Sequence, residues 1–207
     1  VGAGGGSIAH VDAGGEFKVG PRSAGSEPGP VAFGRGGVEP TVTDANLALG
    51  RIGAGVFLGG RLQLDVAAAR DAIRTHVAQP LKYTNRDNVD VAAQGILDLA
   101  NITMTNAIKE ISIERGYDVR EFALFAFGGS GPLFGSQLAR ALQIPRVVIP
   151  PHPGNFSCLG MLLALGGILL YVGFRFQWKF ALGAILSLIH DAIIVMGVLS
   201  FFQITFD

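Results

Sequence analysis

Apolar positions recur along this chain at several different spacings, and each spacing predicts a different kind of element. Between Asn88 and Arg115, the residues Val91, Ile96, Leu99, Ile102, Met104, Ile108 and Ile111 form a stripe at helical intervals. Gly116 follows as a residue able to end that helix in the left-handed region. Asp65 is placed to cap a second helix from Val66 to about Gln79, and Pro80 stops it. Phe122–Phe127 and Ile144–Ile149 are instead continuous apolar runs, a pattern that suits strands buried on both faces. Between them, Gly128-Gly-Ser-Gly-Pro132 turns the chain into a helix reaching about Leu142. Strand, glycine turn, helix and strand predict an α/β unit with a parallel sheet.

The two ends of the chain differ in pattern. The first sixty residues are short apolar pieces punctuated by glycine. Val1–His10 reads as a strand end entering a glycine loop, and Asp12-Ala-Gly-Gly15 reads as a hairpin turn. Pro21 to Pro40 is rich in proline and glycine and is expected to be irregular. At the other end, Asn155 to Phe174 is twenty residues without a charge, enough to cross a bilayer once. Arg175, Trp178 and Lys179 interrupt it with residue types that anchor at an interface, and an apolar stretch resumes from Phe180 to Phe206. This predicts a transmembrane helical hairpin with a basic, cytoplasmic turn.

Composition sharpens that division. Only 15% of residues are charged, and the mean hydropathy is +0.44, both unusual for a wholly soluble chain. After position 160 the charged residues are Arg175, Lys179, Asp191 and Asp207, and all the others precede it. Sixteen basic residues balance sixteen acidic ones, which argues against a nucleic-acid partner. The single cysteine, Cys158, excludes an internal disulfide and reads as a small buried hydrophobe. With Val1 first and no charged-then-apolar leader, the natural start is expected to lie upstream.

Candidate chemistry falls in a few places. Gly2-Ala-Gly-Gly-Gly-Ser7, with Gly4, Gly5, Gly6 and Ser7 as the ligand-facing residues, could bring backbone amides close to an anion. It lacks the third glycine of a dinucleotide fingerprint and the Lys-Ser/Thr ending of a P-loop, so a tight turn and a ligand loop both remain open. Gly128, Gly129, Ser130 and Gly131 stand between a strand end and a helix start, where α/β folds bind ligands. Pro132 replaces the glycine that a nucleophile elbow needs, so binding is favoured over covalent catalysis. Asp12, Asp44, His10, His76 and His152 are scattered and form no metal-ligand spacing, and the metal is left unassigned. Asp44 is the strongest candidate for acid–base work, although its place before an apolar helix equally suits a cap. Asp191, beside His190 in an apolar run, points to proton handling.

Blocks in order along the chain resemble one family. They are Gly2-Ala-Gly-Gly-Gly-Ser-Ile-Ala9, Val11-Asp-Ala-Gly-Gly15, Val19-Gly-Pro-Arg-Ser-Ala-Gly25, Pro28-Gly-Pro30 and Gly34-Arg-Gly-Gly37, then Pro40-Thr-Val-Thr-Asp-Ala-Asn46, Phe57-Leu-Gly-Gly60, Phe127-Gly-Gly-Ser-Gly-Pro132 and Pro150-Pro-His-Pro-Gly154. Together they resemble the A subunit of the hydantoinase/5-oxoprolinase/acetone carboxylase family over about 1–163. The resemblance implies part of an actin-like (ribonuclease H-like) ATPase domain, ATP with Mg²⁺, opening of a cyclic amide, and a hydantoinase B-type partner subunit in the cytoplasm. It also implies that Gly128, Gly129 and Gly131 match a glycine-rich adenosine motif, with Gly4–Ser7 and Asp44–Asn46 near the cleft. The family's two Asp-x-Gly-Gly-Thr phosphate-binding segments are not in this chain, so it is expected to be inactive alone.

Residues 164–207 resemble something else. The stretch that opens with Leu169-Leu-Tyr-Val-Gly-Phe-Arg-Phe176, runs through Ile189-His-Asp191 and ends in Phe202-Gln-Ile-Thr-Phe-Asp207 is similar to SecF of the Sec export machinery. Ile189-His-Asp191 is its most specific piece. This second resemblance implies placement in the bacterial inner membrane, SecD and the Sec translocon as partners, and proton coupling at Asp191. The two likenesses share no mechanism and meet near Met161–Gly166 without a linker, as expected of two joined fragments. The expected fold is therefore α/β, a partial actin-like ATPase domain over 1–163 followed by a transmembrane hairpin over 164–207. The function expected is that of an incomplete ATP-dependent cyclic-amide hydrolase, with a membrane translocase component or a non-functional fusion as the alternatives.

Overall fold

The first unit begins with a hairpin of β1 (Ser7–Val11) and β2 (Phe17–Ser23), antiparallel, with Ala9 opposite Val19 and Val11 opposite Phe17. Its turn is the expected Asp12–Gly15 segment. The Asp12 carboxylate accepts the amides of Gly14 and Glu16 at 2.9 Å, and Gly15 takes φ +83°, where a side chain would be strained. The proline-rich stretch thus starts in extended form through Ser23, and a 3₁₀ turn follows at Val31–Phe33. The computed structural model describes residues 2–55, 60, 62–82, 88–175, 183, 186–187 and 189–195, in two units, Val1–Pro153 and Gly154–Asp207.

Four helices complete the first unit's core: α1 (Val42–Ala48), α2 (Val66–Ile73), α3 (Asn88–Ile111) and α4 (Gly131–Leu142). Asp65 caps α2 as expected, accepting the Ala68 amide at 2.9 Å, and the helix continues as a π-helical turn over Arg74–Ala78. The core joins Ala9 of the hairpin to Val42 and Ala45 of α1, Ile73 of α2, Ile96 and Leu97 of α3, and Phe134 of α4.

The face that α3 buries differs from the expected stripe. Val91, Ile102 and Ile111 are exposed, while Val89, Ala92, Ala93, Ile96, Leu97, Ala100 and Thr105 are buried. Alanines let neighbouring backbones approach closely, and a stripe drawn through the large apolar residues misses them. α3 ends at Ile111, and a 3₁₀ turn leads to Gly116 at φ +84°, close to the expected stop.

The two apolar strands are shorter and barer than expected. β3 (Ala123–Phe125) and β4 (Arg146–Val148) pair in parallel, Leu124 beside Val147 and Phe125 beside Val148. One face packs toward α4, where a Cβ on Gly135 would lie 3.1 Å from Val147 Cγ1. On the other face Phe125 and Val148 are 45% and 39% exposed.

The second unit contains helix α5 (Phe156–Arg175). The Pro153–Arg175 stretch has a mean hydropathy of 2.0 over its apolar window, long and apolar enough to cross a membrane. None of the described side chains in α5 is buried, so Cys158 is exposed rather than the buried hydrophobe expected. Residues 189–195 are helical. The expected basic turn with Trp178 and Lys179, and the end of the hairpin over 196–207, lie outside the described residues, as does most of Phe57–Gly60.

Candidate functional site

A cleft of about 580 Å³ in the first unit brings together segments far apart in sequence. Gly5 and Gly6 line it from the N-terminal turn, Gly129 and Ser130 from the loop before α4, and Thr43, Asn46 and Arg51 from α1 and its exit. Both glycine-rich loops singled out in the sequence therefore meet in one place.

Each loop is shaped by its own bonds. The Ser7 hydroxyl accepts the Gly4 amide at 2.9 Å and donates to the Gly2 carbonyl at 3.2 Å, closing the turn that presents Gly5 and Gly6. The Gly5 carbonyl accepts both the amide and the hydroxyl of Thr43, at 2.9 and 3.0 Å, which ties the turn to the start of α1. A Cβ on Gly5 would come within 2.9 Å of Thr43 Oγ1, and one on Gly6 within 2.7 Å of Ser23 Oγ. Side chains there would fill the cradle. Across the cleft, Gly128 takes φ +88° and its amide donates to the Pro153 carbonyl at 2.8 Å. Gly131 opens α4, whose N-cap Ser130 makes no side-chain capping bond. The positive end of the α4 dipole thus borders the cleft, a setting that favours an anion.

Asp44 lies out of solvent. It is fully buried and sits at the third position of α1, with Thr41 as the N-cap. Its carboxylate accepts the amides of Thr41 and Ala32 at 2.8 Å, the Thr41 hydroxyl at 2.8 Å, and the Val31 amide at 3.2 Å. These bonds complete a capping box and hold the Val31–Phe33 turn against α1. Asp191 belongs to the second unit, where its Oδ1 lies 3.4 Å from His190 Nδ1 and both side chains are exposed.

Arg51 and Thr43 were not singled out by sequence, whereas Asn46 belongs to the Asp44–Asn46 stretch expected near the cleft. Arg51 donates to Gln94 Oε1 at 3.1 Å, and the Gln137 amide, turned so that its oxygen faces the guanidinium, lies 3.2 Å away. Neutral amides from α3 and α4 therefore hold this cation, and among the described residues no carboxylate is within ion-pair distance of it. A lone arginine after a helix carries no motif, and only the folded chain shows what it faces. Asn46 donates to the Val42 carbonyl at 2.9 Å, and its buried Oδ1 has no partner among the described residues. No group of three His, Cys, Asp or Glu side chains converges among the described residues, so these residues do not themselves build a magnesium site.

The strongest electrostatic perturbations lie elsewhere. Arg120 grips both oxygens of Asp118 and lowers its pKa to about 2. Lys18 likewise holds Asp12 below the ordinary carboxylate value.

Comparison with known proteins finds two families along the chain. The profile for hydantoinase/oxoprolinase matches residues 1–166, and that for the C-terminal part of the protein export membrane proteins SecD/SecF matches 155–207. Caprolactamase subunit alpha of Pseudomonas jessenii is 49% identical over 79% of this chain and 23% of its own length. The crystal structure of ATP-dependent caprolactamase from the same organism superposes with a TM-score of 0.67 and 53% identity, over 72% of this chain and 21% of that one. The protein translocase subunit SecF of Pseudomonas aeruginosa is 96% identical over 61% of this chain and 47% of its own length. That alignment spans more of the chain than the export-protein profile does, and 155–207 is the span assigned to the second family. The chain covers about a quarter of the length of the caprolactamase subunit and about half that of SecF. It belongs to the hydantoinase/oxoprolinase family and carries a SecD/SecF-type segment at its C-terminal end.

Proposed function

We propose that the cleft of the first unit is part of an ATP-dependent enzyme that opens cyclic amides, and that it takes the nucleotide. The observation that carries this reading is the meeting of Gly5–Gly6 with Gly129–Ser130 and Arg51 in a single cleft. Glycines leave room for close backbone approach, while the α4 N-terminus and Arg51 favour a polyanion. Gly4 and Ser7 shape the first loop, Gly128 and Gly131 the second. Asn46 Oδ1 offers an acceptor beside them. Asp44 acts as a positioning residue, since its oxygens are already engaged by four donors. Bound ATP supplies the phosphoryl group that activates an amide oxygen. A caprolactamase-like lactam is the substrate class, and a hydantoinase B-type subunit is the partner.

This chain alone binds nucleotide without turning it over, because the phosphate-binding segments of the family are not among its residues. Hydrogen exchange with and without ATP tests the binding. ATP slows exchange over residues 2–7 and 128–134 and leaves 113–121 unchanged. No change in either loop contradicts the assignment. ATP hydrolysis above background by the purified chain contradicts its inactivity.

The second unit supports a separate reading. The apolar helix α5 and the SecF likeness favour a hairpin over 164–207 in the bacterial inner membrane, beside SecD and the Sec translocon, with Asp191 in the proton-coupling role. Protease protection of the Phe180–Phe206 segment in inverted membrane vesicles supports it, and complete digestion sinks it.

A further inference from the structure

We propose that Gln94 and Gln137 are positioning residues that steady the Arg51 guanidinium with neutral amide oxygens and leave its charge for the phosphates of a nucleotide in the cleft. The proposal rests on the nucleotide reading above. Arg51 lines the cleft just after α1, and its backbone amide donates to the Asn46 carbonyl at 2.9 Å. Gln94 on α3 accepts from its Nη2 at 3.1 Å. One turn on, Asp98 accepts from Gln94 Nε2 at 2.7 Å, which turns the amide so that its oxygen faces the arginine. Gln137 on α4 brings the second oxygen, 3.2 Å from both Nη1 and Nη2. The far end of that amide lies 2.6 Å from the Asn101 amide on α3. Two short relays, one through each glutamine, thus fix a single cation.

The use of amides is what points to an anion. Elsewhere in this unit Arg22, Arg70, Arg74 and Arg120 each pair with a carboxylate. At Arg51 the carboxylate of the relay, Asp98, meets Gln94 instead. A carboxylate on the guanidinium fork would occupy its N–H groups and cancel its charge, so an incoming phosphate would have to displace it. An amide oxygen orients the same N–H groups as a dipole and carries no charge. A guanidinium also has more N–H donors than these two oxygens take up, and the remainder suit phosphate oxygens.

Isothermal titration of ATP into the full chain in detergent tests this. Gln137→Glu puts a carboxylate where the amide stands and is expected to weaken binding at least about tenfold. Gln137→Met removes the oxygen without adding charge. It is expected to weaken binding about threefold, an effect that vanishes in the Arg51→Ala background because it acts through that side chain. Gln94→Glu, on another helix, is expected to match the loss of Gln137→Glu and keeps the test valid if a Gln137 variant misfolds. ATP binding that ignores both glutamates overturns the proposal, as does a Gln137→Met loss that persists without Arg51. Failure of the unmutated chain to bind ATP is a different result, which removes the nucleotide reading and this inference with it.

Discussion

Asp44, the strongest acid–base candidate in the sequence, is buried in the fold with its carboxylate engaged by four donors. Its four donors include two amides from the Val31–Phe33 turn, so removing it leaves several buried groups unpaired at once. Asp44→Ala is expected to destabilise the chain by about 3 kcal/mol, and Asp44→Asn by less, since one acceptor oxygen remains. Urea denaturation measures both. Asp118 gives a prediction in pH. Its folded pKa, about 2, lies below the ordinary 3.8, so whatever stability the Arg120 pair contributes is present above 3.8 and lost as pH falls through 2. The pair is exposed and its contribution is screened. Carbon-13 NMR titration should find the Asp118 carboxyl near 2, and Arg120→Gln should return it toward 3.8. Glycine loops were legible in the sequence because glycine is a backbone statement. Arg51 was not, because its role depends on Gln94 and Gln137, which reach it from other helices.

Among the elements, those with strong local signals matched their sequence patterns. The Asp12 turn and the Asp65 cap each rest on a residue that acts on its immediate neighbours, whereas α3 ends at Ile111, short of the expected stop at Gly116, which closes a separate 3₁₀ turn. The buried face of α3 and the covering of β3 and β4 depend on what packs against them, which local pattern does not contain. α4 illustrates the second kind. A Cβ on Gly135 would sit 3.1 Å from Val147 Cγ1 and 3.2 Å from Ala126 Cβ. Gly135→Leu is therefore expected to push α4 off β4 and cost about 1–3 kcal/mol by overpacking, despite the better helix propensity of leucine. Thermal or urea unfolding of the purified variant checks this, and an unchanged midpoint would show that the interface yields.

For the whole molecule, two family likenesses overlap over 155–166, where helix α5 begins, and that helix is apolar up to Arg175. The chain is expected to remain with membranes after carbonate extraction, and a charge in the middle of the helix, Ile168→Arg, should reduce that fraction. The proposed nucleotide site rests on the cleft. Isothermal titration of ATP into the purified full chain, in detergent, is the decisive measurement. A Cβ on Gly129 meets nothing within 4 Å, so Gly129→Leu fills the cleft without disturbing the backbone. Saturable binding to one site, weakened at least about tenfold by Gly129→Leu and by Arg51→Ala but not by Arg120→Ala, is the predicted result. No saturable binding by the folded chain, or binding that both cleft variants leave unchanged, would contradict the nucleotide assignment.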